Sequence, residues 1–180
     1  MDVRALRTKE SIREAFFSLL AEKNLGRITV TELIKRAGIN RSTFYKHYLD
    51  IPDLMEKTEE QMLLFLREQV EGWTDYRSYK ASLVALLNAL QEKKMIWQLI
   101  CGPHGDPLFV GRCLQVLYEE TKGHLEASSY GLGEGERQIH FHYMANGCMG
   151  VLQAWFQDGM TYPAEDLVDE LIALVKKTMG

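Results

Sequence analysis

Apolar residues Ile12, Ala15, Phe16, Leu19 and Leu20 recur at i, i+3, i+4, i+7 and i+8, one stripe of an amphipathic first helix. After Gly26 the run Thr29-Val30-Thr31-Glu32 has the form of a capping box, in which the Thr29 hydroxyl takes the Glu32 N–H and Glu32 reaches back. Leu33, Ile34 and Ala37 supply the buried side of the short second helix that follows. Gly38 suits a left-handed turn, and Asn40 is a good N-cap for a third helix running to about Tyr48. Asp50, Pro52 and Asp53 mark the start of a longer fourth helix through Leu54, Met62, Phe65, Leu66 and Val70.

Helical spacing continues to the end of the chain. Tyr79 to Lys94 carries Leu83, Leu86, Leu87 and Leu90 on one side. CGPHGDP (101–107) is a break, followed by Leu108, Cys113, Leu114, Leu117 and Tyr118. SSYGLGEGE (128–136) is a second break, and His140 to Gln157 reads as a long apolar helix. The loop DGMTYP precedes a last helix lined by Leu167, Leu171, Leu174 and Val175. No alternating strand pattern interrupts this series. The predicted fold is all-α: a three-helix N-terminal domain over 1–50, joined by the fourth helix to a helical domain over 51–180.

At 180 residues, 46% hydrophobic and 26% charged, the chain has a globular composition. No window approaches the roughly 20 apolar residues that span a bilayer. Its charged N-terminal stretch is unlike a secretory leader, so the cytoplasm is the expected location. Cys101, Cys113 and Cys148, odd in number and widely spaced, read as reduced thiols rather than a disulfide framework. Charge does change the picture. Residues 1–50 hold ten Lys/Arg against six Asp/Glu, 10 − 6 = +4, and residues 51–180 hold eleven against nineteen, 11 − 19 = −8. A basic first third on an acidic remainder points to an anionic partner met at one end.

The stretch GINRSTFYKHY (38–48) gives that end a chemistry. A helix, a glycine turn and a second helix that is polar and exposed make the helix-turn-helix arrangement that reads DNA. On a helix from Asn40, Phe44 and Tyr48 share the core side, leaving Arg41, Ser42, Tyr45 and Lys46 outside, where base edges would lie. Arginine is the commonest specific partner of guanine, and serine and tyrosine can bond to bases or phosphates. Thr29 and Thr43, at helix N-termini, suit phosphate. Without its flanks, the same helix is equally a solvated surface helix.

The flanks carry a resemblance. Thr8-Lys9, Ile12, Ala15, Phe16, Thr29-Val30, Ile34, Ala37-Gly38-Ile39, Thr43-Phe44-Tyr45, His47-Tyr48 and Leu54 resemble the N-terminal domain of the tetracycline-repressor (TetR) family of transcriptional regulators over residues 8–54. The resemblance implies base contacts from Arg41, Ser42, Tyr45 and Lys46, and phosphate contacts from Thr29, Thr43 and His47. It also implies a palindromic double-stranded DNA operator, a homodimer and a repressor released by a small molecule. Ile51 departs from the pattern, since relatives usually place a phosphate-binding lysine there. The run NGCMGVLQAWFQDGM followed by YP resembles a C-terminal domain type common in Firmicutes regulators.

In such regulators the last two helices of each chain form a four-helix bundle. Here the candidates are the stripe of Phe141, Met144, Cys148, Val151 and Trp155, with Ala145, Gly147, Gly150 and Ala154 beside it, and Leu167 and Leu171 on the last helix. The stripe reads as a dimer seam, as intramolecular core, or as both. Trp97, Phe109, Tyr118 and Tyr143 could line a ligand cavity, although aromatics at helical spacing are more often plain core.

Other constellations point nowhere specific. Cys101-Gly-Pro-His104, with His140 and His142, lacks the paired four-ligand spacing of a zinc site, so no metal or cofactor is expected. Gly131-x-Gly133-x-Gly135 follows no strand and is no dinucleotide fingerprint. His124, His140 and His142 assemble into no nucleophile–base set, so an enzyme is not expected. The rival regulatory reading is an activator or adaptor with the same DNA-binding head and a protein-binding body.

Overall fold

A computed structural model describes residues 3–71, 79–128 and 133–179. Nine α-helices, one 3-10 turn (Leu25–Arg27) and no strand occur among the described residues. The chain is all-α, as the periodicity predicts. Two compact units divide it: Met1–Met62 with Leu99–Pro107, and Leu63–Gln98 with Leu108–Gly180.

The first unit is the helix-turn-helix head. Helix α1 (Val3–Glu22) buries Ile12, Phe16 and Leu20, α2 (Val30–Ala37) buries Leu33, and α3 (Arg41–Tyr45) buries Phe44. At the start of α4 (Ile51–Val70), Ile51, Leu54 and Met55 are buried as well. The Phe44 ring sits 5.8 Å from that of Tyr48, so the i, i+4 pair packs as its spacing implies. Arg36 of α2 donates to both Glu22 carboxylate oxygens and to the Ser18 hydroxyl, tying α2 to α1.

Local chain signals act as expected at three positions. Thr29 accepts the Glu32 N–H while Glu32 accepts the Thr29 N–H, a complete capping box. Gly38 takes φ 65°, a conformation in which a Cβ would be strained. Asn40 caps α3. The helix it starts is shorter than predicted and ends at Tyr45 rather than Tyr48. Its last turn tightens, with the His47 N–H on the Phe44 carbonyl at 2.9 Å. Beyond it, the Asp53 carboxylate takes the Leu49 N–H at 2.8 Å, so the backbone donor is drawn into the start of α4. Asp50 caps that helix through the Asp53 N–H.

The segment 99–107 belongs to the head although it lies far along the sequence. The Leu25 N–H donates to the His104 carbonyl at 3.2 Å, and His104 Nδ1 lies 3.1 Å from the Leu20 carbonyl oxygen. Gly105 is required by close approach, since a Cβ there would fall 2.0 Å from the Ile100 carbonyl oxygen. Burial, with the Glu59 carboxylate nearby, pushes the Cys101 thiol up to about 12, so it remains protonated.

The second unit contains α5 (Tyr79–Glu92), most of α6 (Lys94–Ile100), α7 (Phe109–Ser128), α8 (Glu134–Gln157) and α9 (Ala164–Met179). Helix α8 starts six residues before the predicted His140, because the residues there are polar or glycine apart from Ile139 and carry no apolar repeat. Glu136 accepts the Gly133 N–H at 2.9 Å and fixes that start. Trp97 lies between Phe109, at 5.9 Å, and Phe156, nearly parallel at 6.1 Å. The α8–α9 turn places Gly159 at φ 77° and Met160 at φ 54°. Gln98 and Lys94 donate to the Phe156 and Gly159 carbonyls there, and the Trp155 indole donates to the Tyr162 carbonyl at 2.8 Å.

Candidate nucleic-acid interface

Helix α3 is positioned by its buried Phe44 and by the glycine turn before it, and the side chains left outside are those the sequence picks out. Arg41, Ser42, Tyr45 and Lys46 are all exposed. The Arg41 guanidinium lies 5.9 Å from the centroid of the Tyr45 ring, which steers both groups to the same side of the helix. His47 is half-buried in the turn after α3, with its ring 6.3 Å from that of Tyr48.

The three hydroxyls are less free than their types suggest. Thr29 donates its proton to Glu32 Oε2 at 2.8 Å. Ser42 and Thr43 both donate to Asn40 Oδ1, at 2.8 and 2.7 Å, and the Thr43 N–H reaches the same oxygen at 2.8 Å. Glu32 itself is held by Lys23, whose hydrogen bond, with those from Thr29, brings its carboxyl down to about 2. A fixed negative charge therefore stands beside Thr29.

Ile51 is only 5% exposed, so the position usually given to a lysine is here part of the head's core. A cation that the sequence pattern does not single out stands nearby. Lys57 Nζ lies 2.9 Å from Asp53 Oδ2, 3.3 Å from the His47 carbonyl oxygen and 5.5 Å from the centroid of the Tyr48 ring. The only sequence signal for it is the i, i+4 spacing from Asp53. Asn40 is legible as a cap but not as the acceptor of two neighbouring hydroxyls. The cue is a capping asparagine followed by hydroxyl residues at the second and third positions.

The remaining candidates fall in the second unit. Trp155, Leu167 and Leu171 are buried within the chain, and Phe141, Met144, Cys148 and Val151 are half-buried, Phe141 lying 4.4 Å from Tyr118. The exposed row of α8 is the neighbouring one: Ile139 (69% exposed), Tyr143 (68%), Gly147, Gly150 and Ala154. Trp97 and Phe109 are buried together, Tyr118 is half-buried, and Tyr143 lies on the exposed row. The Trp97 indole N–H is buried with no hydrogen-bond acceptor among the described residues. Gly131 and the side chain of His124 lie outside the described residues. Among the described residues no three His, Cys, Asp or Glu side chains converge as metal ligands would, and no helix is long and apolar enough to cross a membrane.

Residues 78–177, more than half of the chain, match a TetR-type family described as transcriptional regulator C-terminal region. The chain is 24% identical over 185 residues to the uncharacterized HTH-type transcriptional regulator YxbF of Bacillus subtilis (strain 168). That match takes in 96% of this chain and 45% of YxbF, so the chain spans less than half the length of this curated relative. Among solved structures, a TetR transcriptional regulator from Streptococcus agalactiae 2603V superposes with a TM-score of 0.73 at 23% identity, over 96% of this chain and 95% of that one. The native NalD structure, the secondary repressor of the MexAB-OprM multidrug efflux pump in Pseudomonas aeruginosa, gives 0.68 at 15% identity over 96% of both chains. The dihydroxyacetone kinase operon activator DhaS gives 0.59 at 21% identity over 95% of both. These structural likenesses show the same fold. With the helix-turn-helix head described above and the family match over its body, this chain belongs to the TetR family of DNA-binding transcriptional regulators.

Proposed function

We propose that the chain is a homodimeric regulator that binds a palindromic operator through α3 and is released from it by a small molecule held in the body. The observation that carries this reading is the exposed face of α3, where Arg41, Ser42, Tyr45 and Lys46 stand outside while Arg36 and Thr43 are bonded within the head. Arg41 and Tyr45 read bases, and Lys46 lies beside them. His47 and Lys57 hold phosphate, Lys57 in place of the cation that Ile51 does not provide. Thr29 and Thr43 position their helices.

Dimerisation brings two copies of α3 about 34–36 Å apart, the spacing of successive major grooves. The exposed row Ile139, Tyr143, Gly147, Gly150 and Ala154 suits the seam, because small residues let two helix backbones approach closely. Trp97, Phe109 and Phe156 pack on one another in the body, and the Trp97 N–H, which has no acceptor among the described residues, is the donor a ligand entering there would meet. A ligand that favours a body state with another head spacing lowers DNA affinity by its differential affinity for the two states.

A second reading keeps the head and reverses the sign: an activator, as DhaS is described. Selection of bound duplexes from a random pool, followed by binding assays with Arg41→Ala, tests the reading common to both. A palindrome should emerge, and Arg41→Ala should lose about 1–3 kcal/mol on it and relax one base pair per half-site. Equal binding of all duplexes by wild type would refute it.

A further inference from the structure

Asn40 decides the hydrogen-bonding polarity of Ser42, and this rests on the DNA-reading role of α3 proposed above. Atom identity comes first. The acceptor of the Thr43 N–H at 2.8 Å must be the amide oxygen of Asn40, because its nitrogen carries only donor hydrogens. That oxygen has no proton to give. The contacts of 2.8 Å to Ser42 Oγ and 2.7 Å to Thr43 Oγ1 therefore need the hydroxyl protons, and each hydroxyl has one. With its proton turned back to Asn40, Ser42 presents only lone pairs to the solvent side, where it is exposed.

From this geometry we infer that Asn40 is a positioning residue and that Ser42 reads a base bearing an exocyclic amino group, adenine or cytosine. In the major groove the only base donors are adenine N6 and cytosine N4, whereas guanine O6 and N7 and thymine O4 are acceptors. A lone-pair-only Ser42 meets the first pair with a hydrogen bond and the second with oxygen against acceptor. Each half-site should thus carry an amino base at the position facing Ser42. Thr43 is held in the same way and cannot donate to a phosphate oxygen without leaving Asn40.

The test uses the full chain on the selected operator, with each half-site position changed in turn to all four bases. The position that matters is the one whose preference Ser42→Ala abolishes. Wild type should prefer adenine or cytosine there by about 3- to 10-fold, the scale of one ordinary hydrogen bond. Replacing that adenine by purine, or that cytosine by 2-pyrimidinone, removes the amino group and should bring wild type down to the level of Ser42→Ala. Asn40→Asp keeps a proton-free acceptor, so it should retain the preference while weakening all duplexes alike. Asn40→Ser still caps α3 but brings a proton of its own, and should flatten the preference. A guanine or thymine preference at the Ser42-dependent position overturns the inference and leaves the DNA-reading role standing. So does a Ser42→Ala variant that changes no position, or an Asn40→Ser variant that keeps the preference. Failure to select any duplex overturns the DNA-reading role, and the inference with it.

Discussion

Ile51→Lys restores the residue that relatives usually carry at the start of the fourth helix, and the structure makes it a contest between two energies. Ile51 is 5% exposed, so its side chain is almost wholly removed from water. Burying such a side chain is worth about 1.5–3 kcal/mol, and a lysine there must carry its ammonium out to solvent. Its stem recovers part of the contact, leaving a net loss of about 1–2 kcal/mol. Against that, a new phosphate contact in each subunit should steepen the slope of log affinity against log salt by about 0.9 per subunit. Urea denaturation followed by circular dichroism measures the first effect, with Ile51→Val, about 0.5–1.5 kcal/mol, as calibration. Operator binding at several salt concentrations measures the second. The variant should be less stable than wild type and more salt-sensitive on DNA. An unchanged urea midpoint would refute the burial argument, and an unchanged salt slope would mean that the lysine does not reach the backbone.

Phe44→Ala removes a ring that is fully buried between the helices of the head and should cost about 3–5 kcal/mol, read from the same urea titration. Glu32 contributes stability that is present above its unfolded value near 4.5 and is lost as pH falls through its folded value of about 2. Glu32→Gln keeps the capping geometry and should flatten the decline in thermal midpoint between those pH values. Gly150 is exposed and a Cβ there would meet nothing within 4 Å among the described residues, so Gly150→Leu, pointing outward, should leave the fold intact. Sedimentation should nevertheless shift it from twice the 20.7 kDa chain mass to a monomer, and an unshifted dimer would place the seam elsewhere.

Sequence resolves the head far better than the body, and the reason is range. Thr29 with Glu32, Gly38, and Asn40 with Thr43 act over three residues or fewer, so their types and spacing nearly determine the backbone. The early end of α3 is not legible, because Asp53 draws the Leu49 N–H away from a helix whose apolar pattern continues to Tyr48. In α8 two adjacent rows are both apolar or small, and nothing within that helix says which one the chain covers. Trp155 goes inward and Ile139 outward because of helices elsewhere in the sequence. Arg41, Ser42, Tyr45 and Lys46 are legible as an outer face, but the protons on Ser42 and Thr43 depend on 2.7–2.8 Å contacts that no spacing rule contains.

The bonds joining His104 to Leu20 and Leu25 bear on how such regulators can be recombined. A reading head is often treated as a cassette, cut from the N-terminus of one protein and grafted onto the sensor of another. Here the cassette is discontinuous. A graft joined near residue 62 would carry the socket formed by Leu20 and Leu25 but leave behind Leu99–Pro107, the segment that plugs it. The recipient's own segment would supply neither the His104 imidazole nor the Gly105 close approach, unless its sequence happened to match. Chimeras built from this chain should therefore carry both pieces of the head, and evolution faces the same requirement when it pairs an old operator with a new signal.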